Sequence, residues 1–409
     1  MRTVEEHQRV VAALISQREP GLAAVADALG LVLAADVVAP LSLPGFDNSA
    51  MDGYAVFAVD VADASEERPV KLPVDEDIPA GRTDPLTLAP GTAHRIMTGA
   101  PLPAGATAVV PVEATDGGTD TVTIRSSAKP GQHLRRAGED VTAGTTVLHA
   151  GQVLSPAALG LAAALGLSTL NVVPRQRVLV MSTGSELVAP GTPLQPGQIY
   201  ESNAVMLAAA VRDAGAEVTT VAMTSDDVTT FRATLQEHAP RADLIITTGG
   251  VSAGAYEVVK DALGEEVEFV KVAMQPGMPQ GAGRVDQTPI ITLFGNPVSA
   301  LVSFEVFIRA PLRAAMSLPH PERPRIDATL TEPLTSPRGK RQFRRGVLDV
   351  RRAGAERPGD DAEHATVTSY GPPASHHLRW LASANCLLEL GEDVTELAAG
   401  SPVRVWDLT

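Results

Sequence analysis

Beyond Pro174 the chain alternates between short runs of apolar, largely β-branched residues and segments of helical length. QRVLVMS, EVTTVAM, DLIITT, VEFVKV and PIITLF each read as a buried strand. Segments 202–215, 226–238 and 256–263 lie between them, and a last one runs from Pro297 to about Met316. Alternation of strand and helix at this spacing predicts a doubly wound sheet with helices on both faces.

The rest of the chain has a different texture. Thr3 followed by Glu6 is a capping box opening an amphipathic helix with Val10, Val11, Leu14 and Ile15 on its apolar face. From about residue 30 to 150, short strand-like runs (LVLAADVV, YAVFAV, ATAVVPV, DTVTI, TTVL) are punctuated by Gly, Pro and Asp. That pattern predicts a compact β module. Ser155 and Pro156 start a helix that ends near Gly166. PHPERPR at 319–325 marks a boundary, and the residues after it lack helical periodicity and read as a small β domain.

At 409 residues the chain exceeds what one hydrophobic core supports, so two to four domains are expected. A net charge of -15 argues against a nucleic-acid partner, which needs a basic face. The single cysteine, Cys386, excludes a disulfide within the chain and a cysteine-based zinc site, and reads as a buried strand thiol. The N-terminal MRTVEEHQRV lacks the apolar core of a signal peptide. The apolar run Ala157–Leu167 is about half of the ~20 residues that cross a bilayer. A cytoplasmic protein without membrane attachment is therefore expected.

Ligands of open α/β sheets bind beyond the carboxyl ends of the strands. Three loops at such ends are Gly-rich and polar: STGSEL (182–187), TTGGVSAG (247–254) and FGNPVSA (294–300). Glycine lets backbone approach a ligand, and helix starts offer free N–H groups to anions. Gly249, Gly250 and Ser252 of the second loop, and Asn296 with Pro297 of the third, are the resulting candidates. No G-x-x-x-x-G-K-[ST] or H-E-x-x-H occurs, and no G-x-G-x-x-G follows a strand. The nine histidines are scattered, except for His376–His377, and read as surface or satisfied residues.

Acids carry the remaining signal. Asp47 and Asp52 stand five apart in PGFDNSAMDGYAV (44–56), with Glu139–Asp140, Glu186, Asp226–Asp227 and Glu257 elsewhere on loops. Carboxylates near a phosphate-binding edge suit a hard cation, since Mg²⁺ takes one or two of them and shares the substrate's oxygens. Asp52-Gly53 also suits a turn, and Asp226 a helix cap.

Six motifs occur in order: PGFDNSAMDGYAV, RIMTGAPLPAGATAVVPVE, RRAGED, STGSELV, TTGGVSAG and GNPVSA. Together they resemble the molybdopterin molybdenumtransferase (MoeA) family, which includes the C-terminal domain of gephyrin, over essentially the whole chain. The resemblance implies an elongated N-terminal dimerisation region at 1–52 and 141–173, with a β module inserted at 53–140. It also implies an α/β molybdopterin-binding domain at 174–319 and a C-terminal β domain at 320–409. The implied protein is a homodimer whose cleft joins the α/β domain of one protomer to N-terminal segments of the other. The implied reaction takes adenylylated molybdopterin and molybdate, requires Mg²⁺ and releases AMP. Implied partners extend to the adenylyltransferase and to molybdenum-enzyme apoproteins.

Carried over by position, the catalytic set falls on Asp52, Thr98, Asp140, Glu186 and Asp226, and the metal ligands on Asp52, Glu186 and Glu257. Substrate contacts fall on Arg135, Gly249, Gly250, Ser252, Glu257, Lys271, Asn296, Pro297, Arg345 and Ser375. Asp47, Asn48 and Ser49 are expected to fix the turn that aims Asp52. Four positions depart from the family pattern. Glu257 replaces an aspartate, Gln275 and Met278 replace two lysines of KVAMQPGMP, and Phe294 replaces a proline before GNPVS. A molybdopterin adenylyltransferase, which needs only the α/β domain, and a non-catalytic pterin-binding scaffold are the alternative readings.

Overall fold

The computed structural model of the chain describes residues 1–223, 227–250, 258–351 and 364–409. They form two compact units: Leu22–Val172, and Met1–Gly21 together with Val173–Thr409.

The second of these units opens with helix α1 (Val4–Leu14), whose capping box forms as expected: Glu6 N–H donates to Thr3 Oγ1 at 3.1 Å and Thr3 N–H to Glu6 Oε2 at 2.8 Å. Its central sheet has six strands: β1 (Arg177–Thr183), β2 (Glu217–Met223), β3 (Leu244–Thr248), β4 (Val267–Lys271), β5 (Pro279–Val285) and β6 (Thr288–Leu293). They are ordered β2-β1-β3-β6-β5-β4, with β2, β1, β3 and β6 mutually parallel. Alternate residues of the central strands enter different cores. Val178, Val180, Leu244 and Ile246 pack with helix α2 (Asn203–Asp213), while Leu179, Met181 and Ile245 pack with α3 (Val228–His238) and α4 (Val258–Leu263). Helices thus cover both faces. Asp227 caps α3, accepting from Thr230 N–H at 2.7 Å.

Two strands depart from expectation. β5, sequence PQGAGRV, is antiparallel to both β6 and β4, and nothing in its composition favours a strand. Its glycines are there for close approach: a Cβ on Gly283 would lie 2.1 Å from the Glu266 carbonyl oxygen, and one on Gly281 would lie 2.2 Å from Thr292 Oγ1. β4 is correspondingly an edge strand with exposed Glu268 and Lys271, not a buried one. The last helical segment starts at Pro297 as expected. It runs as α5 (Pro297–Ser303), a π-helical stretch (Phe304–Ile308) and α6 (Arg309–Ala314).

After residue 324 the strands Arg341–Arg351, His364–Ser369, Arg325–Leu330, Pro402–Asp407 and Cys386–Leu390 pair in that order. Cys386–Leu390 also pairs with Arg341–Arg351, which closes the sheet into a small barrel. A short helix, Leu378–Ala382, interrupts a region whose sequence shows no helical period. The two-residue strand Met274–Gln275, from the connection between β4 and β5, adds in parallel to Arg341–Gln342 at the barrel's edge.

Unit Leu22–Val172 contains a five-stranded sheet ordered Ala108–Pro111, Gly53–Val56, Ala93–Ile96, Val70–Ile78, Thr121–Ile124. Tyr54 is fully buried in it and its hydroxyl donates to the Gly118 carbonyl at 2.9 Å. Helix Pro156–Ala164 has Ser155 as its cap, accepting from Ala158 N–H at 3.2 Å. It packs on Leu33, Leu148, Leu170 and Val172 in a separate core.

Candidate active site

β1, β3 and β6 run the same way, so the loops after their carboxyl ends gather in one place. They line a cleft of about 660 Å³, a size suited to a substantial organic ligand. Glu186 stands exposed on the first loop. Gly249 and Gly250 form the second with φ of 94° and 64°. A Cβ on Gly249 would lie 2.5 Å from the Thr183 carbonyl oxygen, so only glycine brings the backbone this close. On the third loop, Asn296 occupies the cap position before Pro297 without capping the helix with its side chain. Its amide instead donates to Ser375 Oγ at 2.8 Å, and Val298 N–H donates to the Ser375 carbonyl at 3.1 Å. A loop beside the barrel therefore forms one wall, to which His376 and Leu378 also contribute.

The strap between Glu186 and α2 returns through parallel pairs Leu187–Ile199 and Val188–Tyr200. It delivers Glu201 and Asn203 to the cleft. Glu201 is buried and its Oε1 accepts from Ala204 N–H at 2.7 Å. Asn203 Nδ2 donates to the Gly295 carbonyl at 2.6 Å and to Thr248 Oγ1 at 3.0 Å. Sequence reasoning passed over both. The available signal was the polar run ESN between an exposed strand and a helix, which is indistinguishable from an ordinary helix start.

In unit Leu22–Val172, the PGFDNSAMDGYAV segment is knitted into a second polar surface. Asn48–Ser49 pairs with Leu134–Arg135, which places Arg135 opposite Asn48. Ser49 Oγ donates to the Met51 carbonyl at 2.6 Å, and Asp47 holds the Arg136 guanidinium and accepts from Ala137 N–H at 2.8 Å. Asp52 is exposed, and its Oδ1 accepts from Thr98 Oγ1 at 2.7 Å and Thr98 N–H at 2.6 Å. These two bonds hold the Asp52 carboxyl below the usual carboxylate range. Asp140 is exposed on the loop after Arg135, tied by its N–H to the Leu43 carbonyl at 3.0 Å. Asp52 and Thr98 are in direct contact, whereas Arg135 sits in the pairing with Asn48 and Asp140 adjoins the separate bridge between Leu43 and Val141.

Residues 2–166 match the MoeA N-terminal region (domain I and II), 179–314 a probable molybdopterin binding domain, and 327–408 the MoeA C-terminal region (domain IV). Molybdopterin molybdenumtransferase 2 of Mycobacterium tuberculosis (strain H37Rv) is 68% identical over 417 residues, covering 100% of both chains. The chain belongs to the molybdopterin molybdenumtransferase (MoeA) family. Molybdopterin molybdenumtransferase 1 of the same strain is 39% identical, over 99% of this chain and 98% of that one. The crystal structure of the molybdopterin biosynthesis MoeA protein from Pyrococcus horikosii superposes with a TM-score of 0.74 at 27% identity, covering 100% of this chain and 99% of that one.

Against the MoeA pattern, the remaining candidates fall in four places. Glu186, Gly249, Gly250, Asn296 and Pro297 line the cleft, and Ser375 abuts it through Asn296. Lys271 is exposed at the end of β4, two strands along the same sheet edge from β6. Arg345 is buried, and its guanidinium donates to the carbonyls of Ala374 and His377 at 3.2 Å each and to that of Pro372. It acts on the loop that carries Ser375. Asp226, Ser252 and Glu257 lie outside the described residues. Phe294 lines the cleft, while Gln275 is half-buried beside Arg344 and Arg345. Cys386 is a buried strand thiol, pushed up to about 12 by burial.

The cleft offers a hard cation the exposed carboxylate of Glu186 among hydroxyl and carbonyl oxygens. Among the described residues no group of three or more His, Cys, Asp or Glu could hold a metal ion. That set fits Mg²⁺ sharing a substrate's oxygens, and does not fit a metal caged by protein alone.

Proposed function

We propose that the chain inserts molybdenum from molybdate into adenylylated molybdopterin, with release of AMP, as a Mg²⁺-dependent homodimer. The observation that carries this reading is the convergence of Glu186, the Gly249–Gly250 turn and the Asn296–Pro297 helix start on one cleft. Relatives matched over the whole chain are named molybdopterin molybdenumtransferases, which supports the substrate class.

The pieces have complementary chemistry. The positive end of the helix that begins at Pro297 favours phosphate or molybdate oxygens through its dipole, since Pro297 has no N–H and the N–H groups of Val298 and Gly249 serve the Ser375 and Leu293 carbonyls. Lys271 adds a cationic anchor on the same edge. Mg²⁺ held by Glu186, with Glu257 and Asp52, would neutralise charge on the phosphoanhydride. Asp226 and Asp140 complete the acidic set in this reading.

Dimerisation would let Asp52, Thr98 and Arg135 of one protomer serve the cleft of the other. The exposed apolar side chains Leu22, Leu29, Val38, Leu41 and Phe46 support a surface that a second copy covers.

The test is to incubate the protein with adenylylated molybdopterin, molybdate and Mg²⁺ and to follow AMP. AMP that forms with all components and stops on chelation of Mg²⁺ is the expected result. An adenylyltransferase would instead consume ATP, and a scaffold would release nothing. No AMP from a correctly folded dimer under full conditions sinks the proposal.

A further inference from the structure

Two acceptor atoms at the cleft have no partner among the described residues: Glu201 Oε2 and Asn203 Oδ1, both buried. Glu201 is only 7% exposed. Its other oxygen is committed to the start of α2, where it accepts from Ala204 N–H at 2.7 Å. The orientation of Asn203 is also fixed. Its Nδ2 lies 2.6 Å from the Gly295 carbonyl, which can only accept, so the amide cannot be turned round and Oδ1 is the atom left over. The hydroxyls of Ser182 and Thr183, at 1% and 6% exposure, line the same cleft and likewise lack partners. A hydroxyl can answer either a donor or an acceptor.

A buried carboxylate oxygen without a donor is costly, so the native ligand is expected to bring one. Phosphate and molybdate oxygens are themselves acceptors and are repelled here. The part of the cleft beside Glu201 and Asn203 therefore suits a donor-bearing group and not an oxyanion. Resting on the molybdopterin reading above, we propose that Glu201 and Asn203 recognise the pyrimidine edge of the pterin through its 2-amino group and adjacent ring N–H. A carboxylate facing an amino–imino edge makes charge-assisted hydrogen bonds of good geometry. The substrate then lies with its pterin on the α2 side and its phosphates toward Pro297. Glu201 is a specificity residue that touches substrate without touching the reacting phosphorus or metal.

The test uses the full chain and two stable probes, 6-hydroxymethylpterin and its 2-oxo analogue 6-hydroxymethyllumazine, titrated by fluorescence. The wild-type protein should bind the pterin at least about tenfold more tightly, the scale of one charge-assisted hydrogen bond. Glu201→Gln keeps an oxygen for Ala204 N–H but puts an amino group where Oε2 stood. It should reduce the preference to within about twofold. Equal wild-type affinity for the two probes overturns the assignment, and so does a preference that survives Glu201→Gln. A pterin-binding deficit in Glu201→Gln that excess Mg²⁺ restores would make Glu201 a cation ligand and also overturns it. Should the variant fail to fold, the wild-type comparison still decides. No turnover is read, so the outcome is independent of whether AMP is released.

Discussion

Arg345→Met should loosen one wall of the cleft rather than simply remove a charge from it. Arg345 is 4% exposed, and burial, followed by the nearby Arg344, pushes its pKa down from the ordinary guanidinium value. Its N–H groups serve the carbonyls of Pro372, Ala374 and His377, while its own carbonyl accepts from Tyr370 N–H at 2.8 Å. Those bonds shape the loop that presents Ser375 to Asn296 and to Val298 N–H. Methionine keeps the bulk and leaves three acceptors without a donor. At about 1 kcal/mol net for each, the loss is about 3 kcal/mol. In a unit of this size that corresponds to a fall in melting temperature of about 6–12 °C. Arg345→Lys, with donors on a flexible stem and no planar fork, should recover only part of it. Thermal melts of both variants, paired with AMP release at varied molybdate, measure the effect. A methionine variant that melts within about 2 °C of wild type, less than 1 kcal/mol, yet needs far more molybdate would refute the reasoning. The guanidinium would then be working on the anion directly.

Three further outcomes are expected. Asp52→Asn preserves an acceptor for Thr98 and should leave the fold intact while AMP release falls by roughly 10²-fold, the scale of losing a main electrostatic contributor; activity within about twofold would count against a direct role. Thr98 bonding depresses the Asp52 pKa in the folded protein, so what the carboxylate contributes is fully present above its ordinary value and is lost only as pH falls through the depressed one. Thr98→Val should move that loss up toward about pH 3.9, as read by carboxyl-carbon NMR. Gln275 and Met278 are half-buried, with Gln275 on a short strand beside Arg344 and Arg345. Gln275→Lys combined with Met278→Lys should lower the molybdate needed for half-maximal turnover by several-fold and make it more salt-sensitive, because partly exposed charges are screened over about 8 Å. No change at either low or high salt would show that these positions only line a loop.

The runs that became β1, β3 and β6 were legible because strands buried on both faces are predominantly apolar, and VLVM, LIIT and IITL hold at most one threonine each. β5 was not, since Gly281 and Gly283 answer a demand for space that exists only once Thr292 and Glu266 are beside them. β4 looked buried because VEFV is apolar in composition, whereas its place at the sheet edge is set by pairing and not by residue type. The glycine loops could be placed because a parallel sheet delivers its carboxyl ends to one side. The anchoring of Asp47 on Arg136 and Ala137 joins residues some 90 apart, a contact that no local pattern records. Glu201 and Asn203 escaped for a different reason. Polar residues before a helix are ordinarily spent on its end, and only the leftover atoms, visible in three dimensions, set these two apart.

Met274–Gln275 leaves the α/β sheet to become an extra strand of the barrel, with Arg341 N–H donating to the Ala273 carbonyl at 2.9 Å. Asn296 and Val298 grip the barrel-side loop at Ser375, and Phe343, Leu387 and Trp406 of the barrel share one core with Phe304 and Phe307. Riveted at a strand, a loop and an apolar seam, the barrel is a fixed jaw. The strap from Glu186 to Tyr200 also borders the cleft, held to itself by two residue pairs and by turns at Ala189–Thr192 and Gln195–Gln198, and otherwise mostly exposed. The strap is therefore the side of the cleft expected to yield, and its amides should exchange with solvent well before those of Met274 and Gln275.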